Sequence, residues 1–495
     1  MSENIVIVGG GIAGICTALA LAKRGLAITI LERDTPPPEG DADRAFFEWP
    51  RRGASQFRHP HAFLGLMCNL LEENYPDLLE DFYAAGARRL EFQEMLSPEL
   101  KGRYRPAPGD EKLWILLCRR ATMETVLRRY AGRLSNIRFI NRITIDGVVA
   151  ERAADGCLDV RGLKVRRDCI EKFGAEIPAD VVIDASGRTT RFPGYFADLG
   201  VTVREENHDA EIVYYTRHYQ LLPGVEEPPR GGKDRSAGDL GYIKFGVFPG
   251  DAGSFALIVC LHKDERELRE AIKDGETFDA VCRAIPGLKP WVAEDKATAT
   301  THPFGIGDIR ALWRHYVEDG RPLAKNFFAV GDAAMRTNPL YGRGCSTSIL
   351  HAHILADVLT EEADPMKRAI LFDRRTEEEL RPIYETSLSE DRNGIRRALA
   401  SAEGRLLEKP DSLKKWFATA FGDALAAASR YNLRVLRGVM RTMNLLEKPG
   451  SFLEDRRIRW IVFLYMLRGR SRNAVARLVR GPSREEMLAM VKAPR

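Results

Sequence analysis

The sequence predicts an α/β chain: a Rossmann-like dinucleotide-binding domain, interrupted by a mostly antiparallel β-sheet and followed by a helical C-terminal region. Three observations predict it. The apolar run Ile5-Val6-Ile7-Val8 leads at once into Gly9-Gly10-Gly11-Ile12-Ala13-Gly14, a G-x-G-x-x-G spacing with a helical stretch behind it. From Val201 to Cys260 the apolar residues take the period of strands. From about residue 366 nearly all of the chain has helical spacing.

Each part of the N-terminal unit has a physical role. Gly9 allows the tight turn, Gly11 lets the backbone approach a pyrophosphate, and Gly14 lets helix and strand pack closely. The helix start offers free N–H groups and a positive dipole end to phosphates. Residues 27–31 read as a second strand ending at Glu32, 18 residues past Gly14 and placed to accept hydrogen bonds from a ribose. Gly9, Gly11, Ala13, Gly14 and Glu32 are therefore candidate cofactor-binding residues.

At 495 residues the chain is expected to hold two or three domains, with 44% apolar and 29% charged residues, as in a soluble globular protein. The net charge of +5 is unevenly spread. Between Asp391 and Arg495 lie 23 basic and 10 acidic side chains, so the rest of the chain is net acidic. A basic tail on an acidic body suits either a membrane surface or anionic partner, or the solvated faces of helices. The eight cysteines form no C-x-x-C pair and no zinc spacing, which suggests a reducing, cytoplasmic setting. With a strand beginning within five residues of the start, no signal peptide is expected. The longest apolar run, Trp460 to Leu467, falls short of the ~18 residues that span a bilayer.

In chain order, residues 39–110 read as a long excursion from the nucleotide-binding core, passing Arg51-Arg52-Gly53 and His59-Pro60-His61, with helices near 62–71 and 77–85. A strand at 113–118 and a helix at 121–130 follow Pro106 and Pro108. Residues 179–188 form a buried strand ending in Asp184-Ala185-Ser186-Gly187-Arg188. Strands are expected at 211–219, 242–248 and 255–261, and helices at 264–273 and 277–284. Residues 326–330 form a short strand before Gly331-Asp332, and a helix runs over 345–359. The remainder is expected to be helical, with breaks at Pro382, Pro410 and Pro449. The domains are then 1–200 with 300–365, an inserted sheet at 201–299, and the helical region 366–495.

Asp332 ends a strand as Glu32 does, which puts a carboxylate beside a sugar hydroxyl. Gly342 and Gly344 free the backbone to approach a flat ring, and the helix behind them points its positive end at it. Taken together, the three motifs resemble the p-hydroxybenzoate hydroxylase-fold FAD-dependent monooxygenases over about residues 4–360. The resemblance implies that Gly9–Gly14 with Glu32 holds the ADP half of FAD, and that Gly331-Asp332 through Asn338-Pro339-Leu340-Tyr341-Gly342-Arg343-Gly344 holds the flavin half. The middle motif, associated with the pyrophosphate and the nicotinamide reductant, is here Asp184 with Gly187, three apart instead of adjacent. Arg120, or alternatively Arg119, matches the arginine that reaches the flavin chain. Arg33, Arg52 and Pro339 complete the implied cofactor set. Arg52-Gly53 through Gln56 and His61, Tyr215-x-Arg217 and the 338–344 stretch are similar to a bacterial group that includes polyether-type epoxidases, in which Gln is more usual at the position of Arg343.

The resemblance implies that NADPH or NADH reduces FAD, that dioxygen adds to give a flavin hydroperoxide, and that one oxygen atom passes to an alkene or aromatic ring. The flavin supplies the chemistry and the protein supplies position and electrostatics. His59, His61, Tyr215, Arg217 and Arg343 are the candidates for contact with substrate or flavin, and a separate flavin reductase is a candidate partner. A polyprenyl double-bond reductase and a non-redox flavin scaffold share the fold. So does a halogenase, but Gly241 to Pro249 lacks the Trp-x-Trp-x-Ile-Pro strand expected of that group. The arginine-flanked segment 456–470 is either an interfacial helix or a helix buried on the body.

Overall fold

The computed structural model describes residues 3–154, 156–230, 234–405, 410–476 and 479–493. Strands β1 (Ile5–Val8), β2 (Ile28–Glu32), β3 (Ile137–Asn141) and β4 (Val181–Asp184) are parallel. The strand Phe327–Ala329 joins them, giving the order Phe327–Ala329, β4, β1, β2, β3. β1, β4 and Phe327–Ala329 are almost wholly buried, which is why they read as continuous apolar runs. Helices α1 (Ile12–Ala22), α2 (Arg120–Arg133) and α3 (Gly344–Glu361) cover one face of this sheet, burying Ile5, Ile7, Leu19, Leu127 and Leu355 together. The opposite face, with Val6, Leu31 and Val182, packs on the antiparallel pair Ile145–Arg152 and Leu158–Val165. Residues alternate between these two cores because strand side chains point to opposite faces in turn.

The inserted sheet is antiparallel. Its long strands β5 (Ile212–Leu221), β6 (Ile243–Pro249) and β7 (Ser254–His262) run in the order β6, β7, β5. It reaches beyond residue 299, because Phe304–Ile306 pairs with the middle of β5. One face, with Val213, Tyr215, Leu257 and Val259, is covered by the helices Arg266–Ala271 and Gly275–Ala284. The other face looks toward the parallel-sheet domain.

Helix α4 (Pro365–Ala402) runs for 38 residues straight through Pro382, where a break was expected. Proline removes one backbone bond there. The flanking Leu380, Ile383, Tyr384 and Leu388 are buried with Trp313 and Met335, and that packing keeps the helix continuous. Pro410 falls beside residues outside the described set, and α5 (Leu413–Tyr431) starts just after it on the side-chain cap of Ser412. Helices α5, α6 (Leu433–Met443) and α7 (Arg456–Met466) pack around Ala424, Ala428, Val435, Ile458 and Val462, with Pro449 between α6 and α7. Helix α8 (Arg484–Lys492) returns to the insert, where Met487 is fully buried and Arg484 pairs with Glu265 at 2.8 Å.

Candidate functional site

A cavity of about 940 Å³ runs from the β1–α1 turn to the free face of the insert. Ligand sites span roughly 300–1,000 Å³, so it lies at the upper end of that range. Its first wall is the glycine turn. Gly9 has φ +110°, and a Cβ there would overlap the Ala185 carbonyl at 2.4 Å. A Cβ on Gly14 would meet the Gly9 carbonyl at 1.9 Å. Gly11 caps α1 with no side-chain hydrogen bond, and a Cβ there would meet only Arg51 Nη2, at 3.7 Å, so the helix start has room and positive charge for an anion. Gly331, at φ +59°, brings the second turn against Ala13, where a Cβ would come within 2.7 Å of the Ala13 methyl.

Behind the turn lies a buried ion cluster. Glu32 Oε2 accepts from the Gly10 N–H at 2.9 Å and from Arg51 Nη1 at 3.0 Å, and Oε1 accepts from the Asp34 N–H at 2.9 Å. A carboxylate has about four acceptor sites, so one remains for a ribose hydroxyl. Arg51 also donates to Asp34 and Glu124, both at 2.9 Å. Burial alone would raise the Glu124 carboxyl, but Arg51 and Arg120 outweigh it and hold the group below its ordinary value. Arg120 Nε donates to Glu124 at 2.6 Å, and its Nη1 donates to His61 Nε2 at 2.9 Å. His61 Nδ1–H in turn donates to the His59 carbonyl at 2.9 Å, so both ring nitrogens are engaged and the imidazole is neutral. Burial and then Arg120 push His61 down to about 3.

The structure sorts the sequence-derived candidates. Gly9, Gly11, Ala13, Glu32, Arg33, Arg120, Gly187, Asp332, Pro339, Gly342, Gly344, His59 and His61 all line the cavity. Arg52 does not. It is exposed, with its carbonyl accepting from Arg33, and its neighbour Arg51 occupies the buried place instead. Arg119 turns away from the cavity to bind Asp251 of the insert, so of the two adjacent arginines only Arg120 lines the cavity. Asp184 faces its own turn and holds the Ser186 N–H and hydroxyl and the Thr190 hydroxyl, so it shapes the loop from beneath. Gly14 and Gly331 act through close packing.

Three candidates for substrate or flavin contact also move. Arg343 is buried against α4, bonded to Ser387 at 2.6 Å and paired with Glu390 at 2.8 Å, outside the cavity. Tyr215 and Arg217 share a face, as their spacing requires, but it is the helix-covered one. Arg217 donates to the Thr301 and Gly275 carbonyls there. The cavity side of β5 carries Tyr214 and, one and two pairs on, Thr216 and His218. Tyr214 lines the wall with Phe248, Ile258, Cys260, Ile306 and Leu340. His59 Nδ1 meets the Thr216 hydroxyl at 2.9 Å.

Other cavity residues escaped the sequence reading. Arg188 stood next to Gly187 in the middle motif and was legible there. Arg336 and Lys244 carried no signal. Arg336 donates to the Arg188 and Arg310 carbonyls, and burial lowers both it and Lys244.

Asp332 decides what the site holds. Its carboxylate lines the cavity, burial raises its pKa against the nearby Arg120, and no group donates to it among the described residues. A half-buried carboxylate at the cavity wall with no protein donor keeps its acceptor sites open for a ligand donor. A ribityl hydroxyl on Asp332, a ribose on Glu32 and a pyrophosphate at the uncapped start of α1 fit FAD. Residues 4–208 match the family described as FAD dependent oxidoreductase. The chain is an FAD-dependent oxidoreductase. The oxidoreductase is 27% identical to "Protein Rv3254" of Mycobacterium tuberculosis over 77% of this chain and 78% of that protein. It is 25% identical to an FAD-dependent monooxygenase of Aspergillus terreus over 72% and 77% of the two chains. The flavin-dependent brominase Bmp2 shares its fold, with a TM-score of 0.58 at 15% identity, over 94% of this chain and 99% of that one.

Two predictions follow from this geometry. Asp332→Ala is expected to yield folded protein with at least about tenfold weaker FAD binding, whereas Asp184→Ala is expected to lower Tm. Flavin absorbance per chain and thermal melts separate them, and equal FAD loss in both variants would contradict the assignment. Burial holds His61, His59 and His218 at about 3, 4 and 4, below the ordinary 6.5. The unfolded chain therefore binds more protons than the folded one between those values and 6.5, and stability falls as pH drops through that window. His61→Gln is expected to make the fall in Tm from about pH 7 to about pH 5 shallower than in the parent. An unchanged slope would show that His61 is not held neutral.

Proposed function

We propose that the oxidoreductase is a monooxygenase that transfers one atom of dioxygen to an alkene or aromatic group of a lipophilic substrate, with NADPH or NADH as the source of electrons. One observation carries this reading. The FAD cradle and the apolar wall of Tyr214, Phe248, Ile258, Cys260, Ile306 and Leu340 line one continuous cavity. Bound FAD supplies dioxygen activation, and the chain positions the substrate and excludes water. The Asp332 carboxylate and the α1 start orient the cofactor, and the free face of the insert holds the apolar part of the substrate. His61 is bonded at both nitrogens and so offers no free base. Epoxidation of an alkene needs no proton removed; for a phenol, the cavity-lining His59, bonded through Nδ1 to Thr216, is the histidine that could take the proton. The name of the Aspergillus terreus relative supports the same class of reaction.

The test is anaerobic reduction followed by air. The yellow protein is mixed with NADPH, with NADH, or with NADH and an added general flavin reductase, and bleaching is followed near ~450 nm. Air is then admitted with a panel of lipophilic alkenes and phenols under isotopically labelled dioxygen. Incorporation of one labelled oxygen into a product supports the proposal. A product that gains two hydrogens and no oxygen would make the enzyme a double-bond reductase. Failure to bleach in all three mixtures would point to a flavin with no redox role.

A further inference from the structure

Helix α7 is apolar on two faces, and only one of them is covered. Ile458 and Val462 are buried against α5 and α6. On the opposite side Trp460, Phe463, Leu464 and Leu467 are 62%, 45%, 46% and 69% exposed. Their i, i+3, i+4, i+7 spacing makes a single stripe along the helix and the turn that ends it. Trp460 and Phe463 stack within it, with ring centroids 5.6 Å apart. Soluble proteins normally cover a patch of this kind.

The rim of the stripe is cationic. Five arginines and no acidic residue lie between Arg456 and Arg470. Arg470 is committed to Asp423 at 3.2 Å. Arg456, Arg457, Arg459 and Arg468 are exposed and form no ion pair among the described residues. By helical geometry Arg459 flanks the apolar stripe on one side, and Arg457 and Arg468 flank it on the other. A second exposed apolar cluster, Leu413, Trp416 and Phe417, occupies the first turns of α5, beside Lys414 and Lys415. No described helix is long and apolar enough to cross a membrane. A short helix with aromatic and leucine side chains on its outer face, bordered by unpaired arginines, has the makeup of an element that lies in a lipid interface.

We propose that the outer face of α7, with the start of α5, docks this protein onto an anionic lipid bilayer. The aromatic and leucine side chains enter the headgroup boundary, and the flanking arginines bind lipid phosphates. Charge complementarity selects this occupant, since a second copy would bring its own four unpaired arginines to the contact. Met443, at the C-terminal end of α6, lines the cavity, so the same helical unit borders both the proposed membrane face and the substrate space.

The test uses the FAD-loaded full chain and vesicle flotation. Vesicles of phosphatidylcholine alone are compared with vesicles carrying about a quarter phosphatidylglycerol. The parent protein is expected to float with the anionic vesicles at low salt, to float poorly with neutral ones, and to lose binding as salt rises. The variant Trp460→Ser/Phe463→Ser/Leu467→Ser is expected to lose binding by at least about tenfold, and Arg456→Glu/Arg457→Glu/Arg459→Glu to do the same. Flavin absorbance and Tm confirm that each variant is folded. No flotation of the parent with anionic vesicles overturns the proposal, as does equal flotation of parent and variants. A concentration-dependent dimer that the first variant breaks, with no vesicle binding, would assign the face to a second copy instead.

Discussion

One buried guanidinium holds this site together. Arg51 brings the carboxylates of Glu32, Asp34 and Glu124 into one desolvated cluster, and each contact is 2.9–3.0 Å long. Two like charges about 4 Å apart repel by about 4 kcal/mol at the effective dielectric of a protein, so the three carboxylates need that cation between them. The cluster closes the excursion of residues 39–110 back onto the sheet, because its members come from the end of β2, from the excursion and from α2. It also sets the cofactor side of the cavity. Glu32 is left with one open acceptor site, and Glu124 passes the constraint on to Arg120 and from there to His61.

The insert completes the site by dividing its two faces. One side of β5 is sealed by helices and the C-terminal α8, while the other side carries the apolar wall of the cavity. Arg119 and Thr122, at the start of α2, bond Asp251 of the insert, which fixes the two sheets relative to each other. The glycine turns and the apolar wall are thus held by separate cores and face each other across the cavity. Asn338 ties them at the far end, accepting from Tyr214 and donating to Asp391 of α4 at 2.6 Å.

The legible parts of the sequence were those set by local geometry. The Gly9–Gly14 spacing, Glu32, and Gly331 with Asp332 depend on a strand, a turn and a helix in direct succession, and each falls where its spacing places it. Long-range choices were not legible. Arg51 and Arg52 are adjacent and chemically alike, and only the carboxylates arriving from α2 and β2 decide which is buried. The face of β5 was hidden because Tyr214 and Tyr215 are both buried, so alternation alone does not say which side holds the cavity. Arg343 was placed beside the flavin by its loop, but its partners Ser387 and Glu390 lie more than forty residues downstream. Pro382 failed to break α4 because the core around Trp313 is stronger than one missing hydrogen bond.

Native mass spectrometry of Arg51→Met and Arg52→Met beside the parent chain tests the role of the Arg51 cluster most directly. Removing one partner of a buried ionic cluster costs about 3–5 kcal/mol, while an exposed arginine contributes little. Arg52→Met is expected to carry one non-covalent FAD per chain, as the parent does, and Arg51→Met to be purified without FAD or to fail to fold. Full FAD occupancy in Arg51→Met, with parental stability, would contradict that role.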